Sequence, residues 1–282
     1  MAIIQKDGFK FMDGLNSEYI VLEGDRIQEY VNYINTNNTA SIAINDSFYD
    51  KTTLDFLKDC GDVKKVNIIS SNIEDYSGLN SLVNLQVLFL GDPITKVDVS
   101  KFSNLEALYV DINKNVIGIE NCKSLKILNM WKYKPKSKDL TLLSDLINLE
   151  QLEIFQSTIT SLKGIRAFSK ISKLGLYYCS KLESVNQLNW ENGSHLIELS
   201  IESCKNIQDA DQLHNLNKLE KLTFTDNGQI PSIQFIKNLP QLKHFVFMGT
   251  TVNDGILNYC QGLDYVAFTD KKHYTQKMKD FN

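Results

Sequence analysis

The stretch LEQLEI, Leu149 to Ile154, decides how this chain folds. Its apolar residues stand at positions one, four and six, and the alternation over positions four to six is the period of a strand with one face buried. LKILNM begins 24 residues earlier at Leu125, and ISKLGL begins 22 residues later at Ile171. The same frame recurs as VKKVNI from Val63, LQVLFL from Leu85, LEALYV from Leu105, LIELSI from Leu196, LEKLTF from Leu219, LKHFVF from Leu242 and LDYVAF from Leu263. Successive starts lie 20 to 25 residues apart, and a degenerate copy, TASIAI, begins at Thr39. No unit of this length buries its own apolar face, so neighbours must stack and line up their apolar positions as continuous ladders.

With L-x-x-L-x-L at that period, the sequence from about Thr39 to Asp270 resembles the leucine-rich-repeat family, in its stand-alone bacterial form. The resemblance implies an α/β repeat fold: a right-handed solenoid, curved like a horseshoe, with a parallel concave β-sheet, about 10–11 repeats and terminal caps. The run after each hexad varies between copies and reads as a helical turn, a 3₁₀ turn or an extended loop. Residues 1–38 lack the hexad. There FKFM and EYIVL suggest a hairpin, and DRIQEYVNYI suggests a short amphipathic helix with Ile27, Tyr30, Val31 and Ile34 on one side. We therefore expect an N-terminal cap (or a small binding element) over 1–38, repeats over 39–270, and a cap helix over 271–282 that closes the last unit with Tyr274, Met278 and Phe281.

The repeat gives every cysteine an address. Cys179 and Cys204 fall at position nine, with Ser71, Asn113, Ser157, Asn227 and Thr250. In the family this column is a ladder of small polar side chains that satisfy backbone groups between turns, and Pro93 and Tyr133 interrupt it here. Cys60, Cys122 and Cys260 stand three residues before a hexad, in a column otherwise occupied by Leu82, Phe102, Leu146, Phe168, Gly193, Leu216 and Leu239. Free cysteine suits such a core site as a small hydrophobe. The five cysteines are odd in number, widely spaced and free of C-x-x-C, which argues against a disulfide framework or a zinc site.

Composition narrows the class. A formal net charge of -4 lacks the basic surplus of a nucleic-acid binder. The start, MAIIQKDGFKFMDG, has no apolar run of signal-peptide length, no stretch approaches a membrane span, and the cysteine usage fits a reducing compartment, so a cytoplasmic chain is expected. No nucleotide-binding, hydrolase or metalloprotease motif occurs, and His195, His214, His244 and His273 form no ligand spacing. The basic stretch WKYKPKSKDL from Trp131 reads as a solvated loop. We expect no enzymatic activity, cofactor or metal; bacterial relatives that are enzymes carry a separate catalytic domain.

Function then rests on the outward face of the sheet. With positions four and six buried, positions three, five and seven point outward. Phe89 and Tyr109 stand at position five, and Trp131, Phe155 and Tyr177 at position seven, with Tyr178 beside them and Val87 and Ile127 at position three. At ~4.8 Å per strand, these five rings are expected within roughly 20 Å, as one patch. Glu153, Glu198, Glu202 and Asp226 make an acidic flank. The expected partner is another protein with a basic contact surface, rather than nucleic acid or membrane, bound by a chain that is monomeric when free. The expected role is a binding module, in sharper form an inhibitor or immunity-type protein that neutralises a toxin or enzyme. The alternative is a scaffold or adaptor that uses the convex face and the ends.

Overall fold

The computed structural model describes residues 3–14, 17–189 and 195–281, in two compact units, Met1–Ile127 and Leu128–Asn282. In the first unit, β1 (Ile3–Lys6), β2 (Phe9–Gly14) and β3 (Ser17–Val21) form an antiparallel meander. The helix α1 (Ile27–Thr36) then carries the chain back to β4 (Ser41–Asn45), which pairs parallel with β3, as a crossover connection allows. From there the pairing is parallel through β5 (Lys65–Ile69), β6 (Val87–Leu90) and β7 (Ala107–Asp111). The second unit continues the pattern with β8 (Ile127–Trp131), β9 (Gln151–Phe155), β10 (Lys173–Tyr177), β11 (Glu198–Glu202), β12 (Lys221–Thr225), β13 (His244–Val246) and β14 (Tyr265–Ala267).

Each strand occupies positions three to seven of its repeat, or part of that span, and the register follows the hexads. Leu152 opposes Leu174, Leu174 opposes Leu199, and Leu199 opposes Leu222. Positions one, four and six of LEQLEI, namely Leu149, Leu152 and Ile154, are fully buried. Burying each such side chain contributes about 1.5–3 kcal/mol, and the ladder repeats it strand after strand. The connecting runs resolve into short 3₁₀ helices, such as Thr141–Leu143, Ile165–Ala167 and Ala210–Asn215. A single 3₁₀ turn spans the backside in few residues, which suits repeats of 20 to 25.

At the N-terminus the predicted hairpin and helix are present, and α1 buries Tyr30, Val31 and Ile34. One strand was not anticipated. Asp7 and Gly8, with φ of 54° and 79°, form the two-residue turn that folds β1 onto β2. Asp-Gly is a strong hairpin signal, and the left-handed conformations it favours are those required here. At the other end the expected cap helix is absent. The chain there forms turns and one 3₁₀ turn, Met278–Asp280. Its backbone and side-chain groups bond outward instead of along a helix: Thr275 N–H donates to Gly255 O at 2.8 Å, and Met278 N–H to Asp270 Oδ1 at 2.9 Å. Tyr274 is still buried and Phe281 still meets Phe268, so the apolar contacts expected of a cap survive without the helix, while Met278 is exposed.

Two columns turn the repeats that begin between Leu125 and Leu242 after their strands. At position eight, Lys132, Gln156, Tyr178, Ser203 and Asp226 all have φ between 53° and 62°, and Gly249 has φ 68°. The reversed backbone aims each N–H at the next strand: Lys132 donates to Phe155 O, Gln156 to Tyr177 O, Tyr178 to Glu202 O, Ser203 to Thr225 O and Asp226 to Met248 O, all within 2.8–3.0 Å. At position nine, Asn227 Nδ2 donates to Ile201 O at 2.9 Å and Thr250 Oγ1 to Phe224 O at 2.7 Å, while each side-chain oxygen also accepts the N–H of the preceding rung. Cys179 and Cys204 make the same contact through sulfur, to Ile154 O at 3.8 Å and Leu176 O at 3.6 Å. Ser157 Oγ reaches Tyr133 O at 2.6 Å, and in the first unit Pro93 O accepts from Asn113 Nδ2 at 2.9 Å, so both interruptions are bridged through carbonyls.

Cys60, Cys122 and Cys260 are buried and form no disulfide, in the core column with Leu82, Phe102, Leu146, Phe168, Leu216 and Leu239; Gly193 lies outside the described residues. Burial pushes the Cys60 thiol up to about 11 and those of Cys122 and Cys260 to about 12. Cys204 is also raised, by the hydrogen bond it gives Cys179 and by burial. The Cys179 thiol, which accepts the hydrogen bond from Cys204, is instead held below its usual range, and it is complete burial that keeps it from reagents. The native protein is therefore expected to label slowly at neutral pH and all five cysteines to label once it is unfolded. Rapid labelling of Cys179 before unfolding would contradict the packing role.

Candidate functional site

Column seven of the second unit holds three of the candidate aromatic residues. Parallel, in-register pairing repeats one column at the strand spacing, ~4.8 Å, so flat side chains of like rotamer pile face to face. Trp131 stacks on Phe155 with ring centroids 4.5 Å apart and planes 5° apart, and Phe155 stacks on Tyr177 at 4.5 Å and 9°. The rings stand on the sheet with faces against each other and are half-buried, while Tyr178 next to them is 54% exposed. Gly175 makes room for the last ring: a Cβ there would lie 2.5 Å from Tyr177 Cε2 and 2.9 Å from its Oη. Tyr177 thus leans back over its own strand. Burial and the nearby Glu153 charge raise its phenol pKa, against a hydrogen bond with Ser200. The phenol is neutral at physiological pH.

Phe89 and Tyr109 belong to the first unit, where they face each other in register at position five with centroids 4.0 Å and planes 5° apart. They are half-buried, as are Val87 and Ile127. Of the five rings expected as one patch, two form a stacked pair in the first unit, at position five, and three form a stacked triplet in the second, at position seven.

The acidic flank also divides. Glu153 Oε1 pairs with Lys173 Nζ at 3.0 Å, its Oε2 accepts from Asn129 Nδ2 at 2.7 Å, and the side chain is only 12% exposed. Glu198 pairs with Lys221 at 2.7 Å. A lysine one strand along neutralises each of these two carboxylates, so they are fixed elements of the sheet surface and not an open acidic patch. Glu202 and Asp226 differ: among the described residues, no Lys or Arg nitrogen lies within 4 Å of either carboxylate. Glu202 is half-buried opposite Tyr177 in the register, and Asp226 is exposed at the next corner. Asn129 is 6% exposed, and its Oδ1 accepts no hydrogen bond, an orphan acceptor in the strand that carries Trp131.

Sequence spacing could have paired Glu153 with Lys173, which stand at positions five and three of adjacent hexads, a diagonal across neighbouring strands. Nothing in the spacing announced the ring stack, which depends on rotamers. Other features stand apart from this column. A cleft of about 420 Å³, lined by Gln208, Asp211, His214, Ser232, Gln234 and Phe235 among others, opens between the 3₁₀ helices Ala210–Asn215 and Gln234–Asn238. His214 and His273 bond to the backbone carbonyls of Asp211 and Val252, and His244 meets the edge of Tyr265. Among the described residues no group of three or more His, Cys, Asp or Glu is arranged to hold a metal ion, and no helix is long and apolar enough to cross a membrane.

No protein-family model and no curated protein matches the sequence. Among solved structures, an internalin from Listeria monocytogenes, InlF, superposes with a TM-score of 0.64 at 17% identity, covering 86% of this chain and 71% of the internalin. The functional domain of InlJ from the same organism, which includes a cysteine ladder, matches with a TM-score of 0.42 at 14% identity, covering 82% of this chain and 64% of that one. Internalin C2, also from L. monocytogenes, matches with a TM-score of 0.35 at 17% identity, covering 78% and 76%. At these identities the likeness to InlF is one of fold.

Proposed function

We propose, from the premise that this chain has the leucine-rich-repeat fold it shares with an internalin, that it is a non-catalytic module that grips another protein through column seven of its second unit. The observation that carries this reading is the triple stack of Trp131, Phe155 and Tyr177 beside the exposed Tyr178. Rings aligned on a rigid sheet offer apolar area whose conformational entropy is already spent, and aromatic side chains are the favoured anchors of protein interfaces. In its sharper form the reading is an inhibitor of immunity type that blocks a toxin or enzyme in a reducing compartment, where five unbonded cysteines are suited. The segment 1–38 and the turns after residue 270 then act as covers for the first and last repeats.

Trp131→Ala is expected to weaken partner binding by ~2 kcal/mol or more, as hot-spot truncations do. The stack loses one partner and a half-buried indole is truncated, so stability falls by about 1–2 kcal/mol, less than the ~3–5 kcal/mol of a fully buried tryptophan. Purification of the partner by tagged pull-down, followed by calorimetry with wild type and variant and by urea unfolding of both, checks this. A single stoichiometric partner supports the inhibitor form, and several partners favour a scaffold. Wild-type affinity in the variant, with a large loss of stability, would make Trp131 a core residue and remove column seven as the binding face.

A further inference from the structure

Charge on the outward face of the second unit is sorted along the strands. At positions two to five, three lysines meet carboxylates across neighbouring strands: Lys173 pairs with Glu153 at 3.0 Å, Lys221 with Glu198 at 2.7 Å and Lys243 with Glu220 at 2.9 Å. At positions seven and eight, from β10 to β12, the order is Tyr177 and Tyr178, then Glu202, then Asp226, with no lysine or arginine nitrogen within 4 Å of either carboxylate among the described residues. Phe155 covers one face of Tyr177, with the planes nearly parallel, so the other face looks along the column towards β11, whose Glu202 is its registered neighbour. Asp226 adjoins a residue without a side chain: a Cβ on Gly249 would overlap the Asp226 carboxylate, so Gly249 leaves that oxygen room and leaves the corner open. The stack therefore ends in an aromatic face beside Glu202, with Asp226 one strand further on, and among the described residues neither carboxylate is paired with a lysine or arginine. Removing such charges from water without a counter-charge is unfavourable, so a partner that covers this face must bring one.

We propose that this end of the stack receives an arginine or lysine side chain of the partner protein. Its cation lies against the Tyr177 face turned towards β11, where a ring within about 6 Å attracts a positive charge, and pairs with the Glu202 carboxylate, while Asp226 one strand further on adds to the local negative field. An apolar residue of the same partner segment rests on Phe155 and Trp131. The inference rests on the reading of column seven as the binding face and specifies the chemistry that this face selects. Strands spaced ~4.8 Å apart put Tyr177 and Glu202, registered neighbours, within the reach of one extended basic side chain. The fork of a guanidinium can meet both oxygens of Glu202 while its plane lies on the ring, so arginine is favoured over lysine.

The test uses two small probes, N-acetyl-Phe-Arg-amide and its citrulline counterpart, which keeps the shape of arginine and lacks the charge. Protein carrying ¹⁵N-tryptophan and ring-¹³C-tyrosine is titrated with each and followed by NMR, with the Trp131 and Tyr177 signals assigned through Trp131→Phe and Tyr177→Phe. The arginine probe is expected to shift both signals and to bind about tenfold more tightly than the citrulline probe. The preference is expected to shrink in 0.5 M salt and to vanish in Glu202→Gln combined with Asp226→Asn, a surface variant whose unchanged circular dichroism confirms its fold. Equal binding of the two probes at Trp131 and Tyr177 overturns the cation site and leaves the aromatic face standing. Failure of both probes to move either signal overturns both.

Discussion

Leu152→Ala is expected to lower the free energy of unfolding by about 2–5 kcal/mol, the range for a buried leucine replaced by alanine with a cavity left behind. Leu152 is fully buried at position four of β9, in register with Leu174 on the next strand. Backbone hydrogen bonds on both sides hold the strand, so its neighbours cannot close around the missing carbons without breaking the ladder. In a stacked repeat the loss also weakens the interfaces with the units before and after it, because each repeat is stabilised mainly by its neighbours. Gln151→Ala, one residue away and facing outward, is expected to change stability by less than roughly 0.5 kcal/mol. Urea unfolding followed by circular dichroism measures both. Losses of equal size would mean that the strand sits one residue out of register, which would exchange every buried and outward side chain.

Gly164→Ala is expected to cost roughly 2–5 kcal/mol, for two reasons that add. Gly164 has φ 100° and ψ −20°, a conformation that L-residues rarely adopt. A Cβ there would also meet the backbone of the preceding repeat, at 2.7 Å from Leu140 C and 2.8 Å from both Leu140 O and Thr141 N. Main chain, unlike the tip of a side chain, cannot turn aside, and Leu140 is tied to this same segment by the bond from its N–H to Lys163 O at 2.8 Å. Gly228→Ala provides the control. Gly228 has φ 79° but nothing within 4 Å of its added Cβ, so only the backbone penalty of about 1–2 kcal/mol applies. Thermal and urea unfolding of the two variants separates the terms, and equal costs would exclude close approach between repeats as the reason for glycine at 164.

The sequence by itself determined the repeat. The period of 20 to 25 residues, the burial of positions one, four and six, the small polar and thiol column at position nine and the core column holding Cys60, Cys122 and Cys260 were all legible, because each is a one-dimensional pattern imposed by strand alternation and stacking. The N-terminal hairpin and amphipathic helix were legible for the same reason. What depends on partners distant in the chain was not. The C-terminal segment has the apolar spacing of a helix, yet forms turns because Asp270 and Gly255 satisfy its backbone groups. Five corner residues other than glycine adopt left-handed backbone because each N–H finds a carbonyl on the neighbouring strand, a gain that local propensity cannot register. The columns of the candidate site were visible in the sequence, but the tertiary structure decided their chemistry. Side-chain rotamers turned Trp131, Phe155 and Tyr177 into one stack, and cross-strand lysines neutralised Glu153 and Glu198, while among the described residues no lysine or arginine pairs with Glu202 or Asp226. Spacing determines which residues share a face; which charges and rings touch there depends on rotamers and on strands joined only by folding.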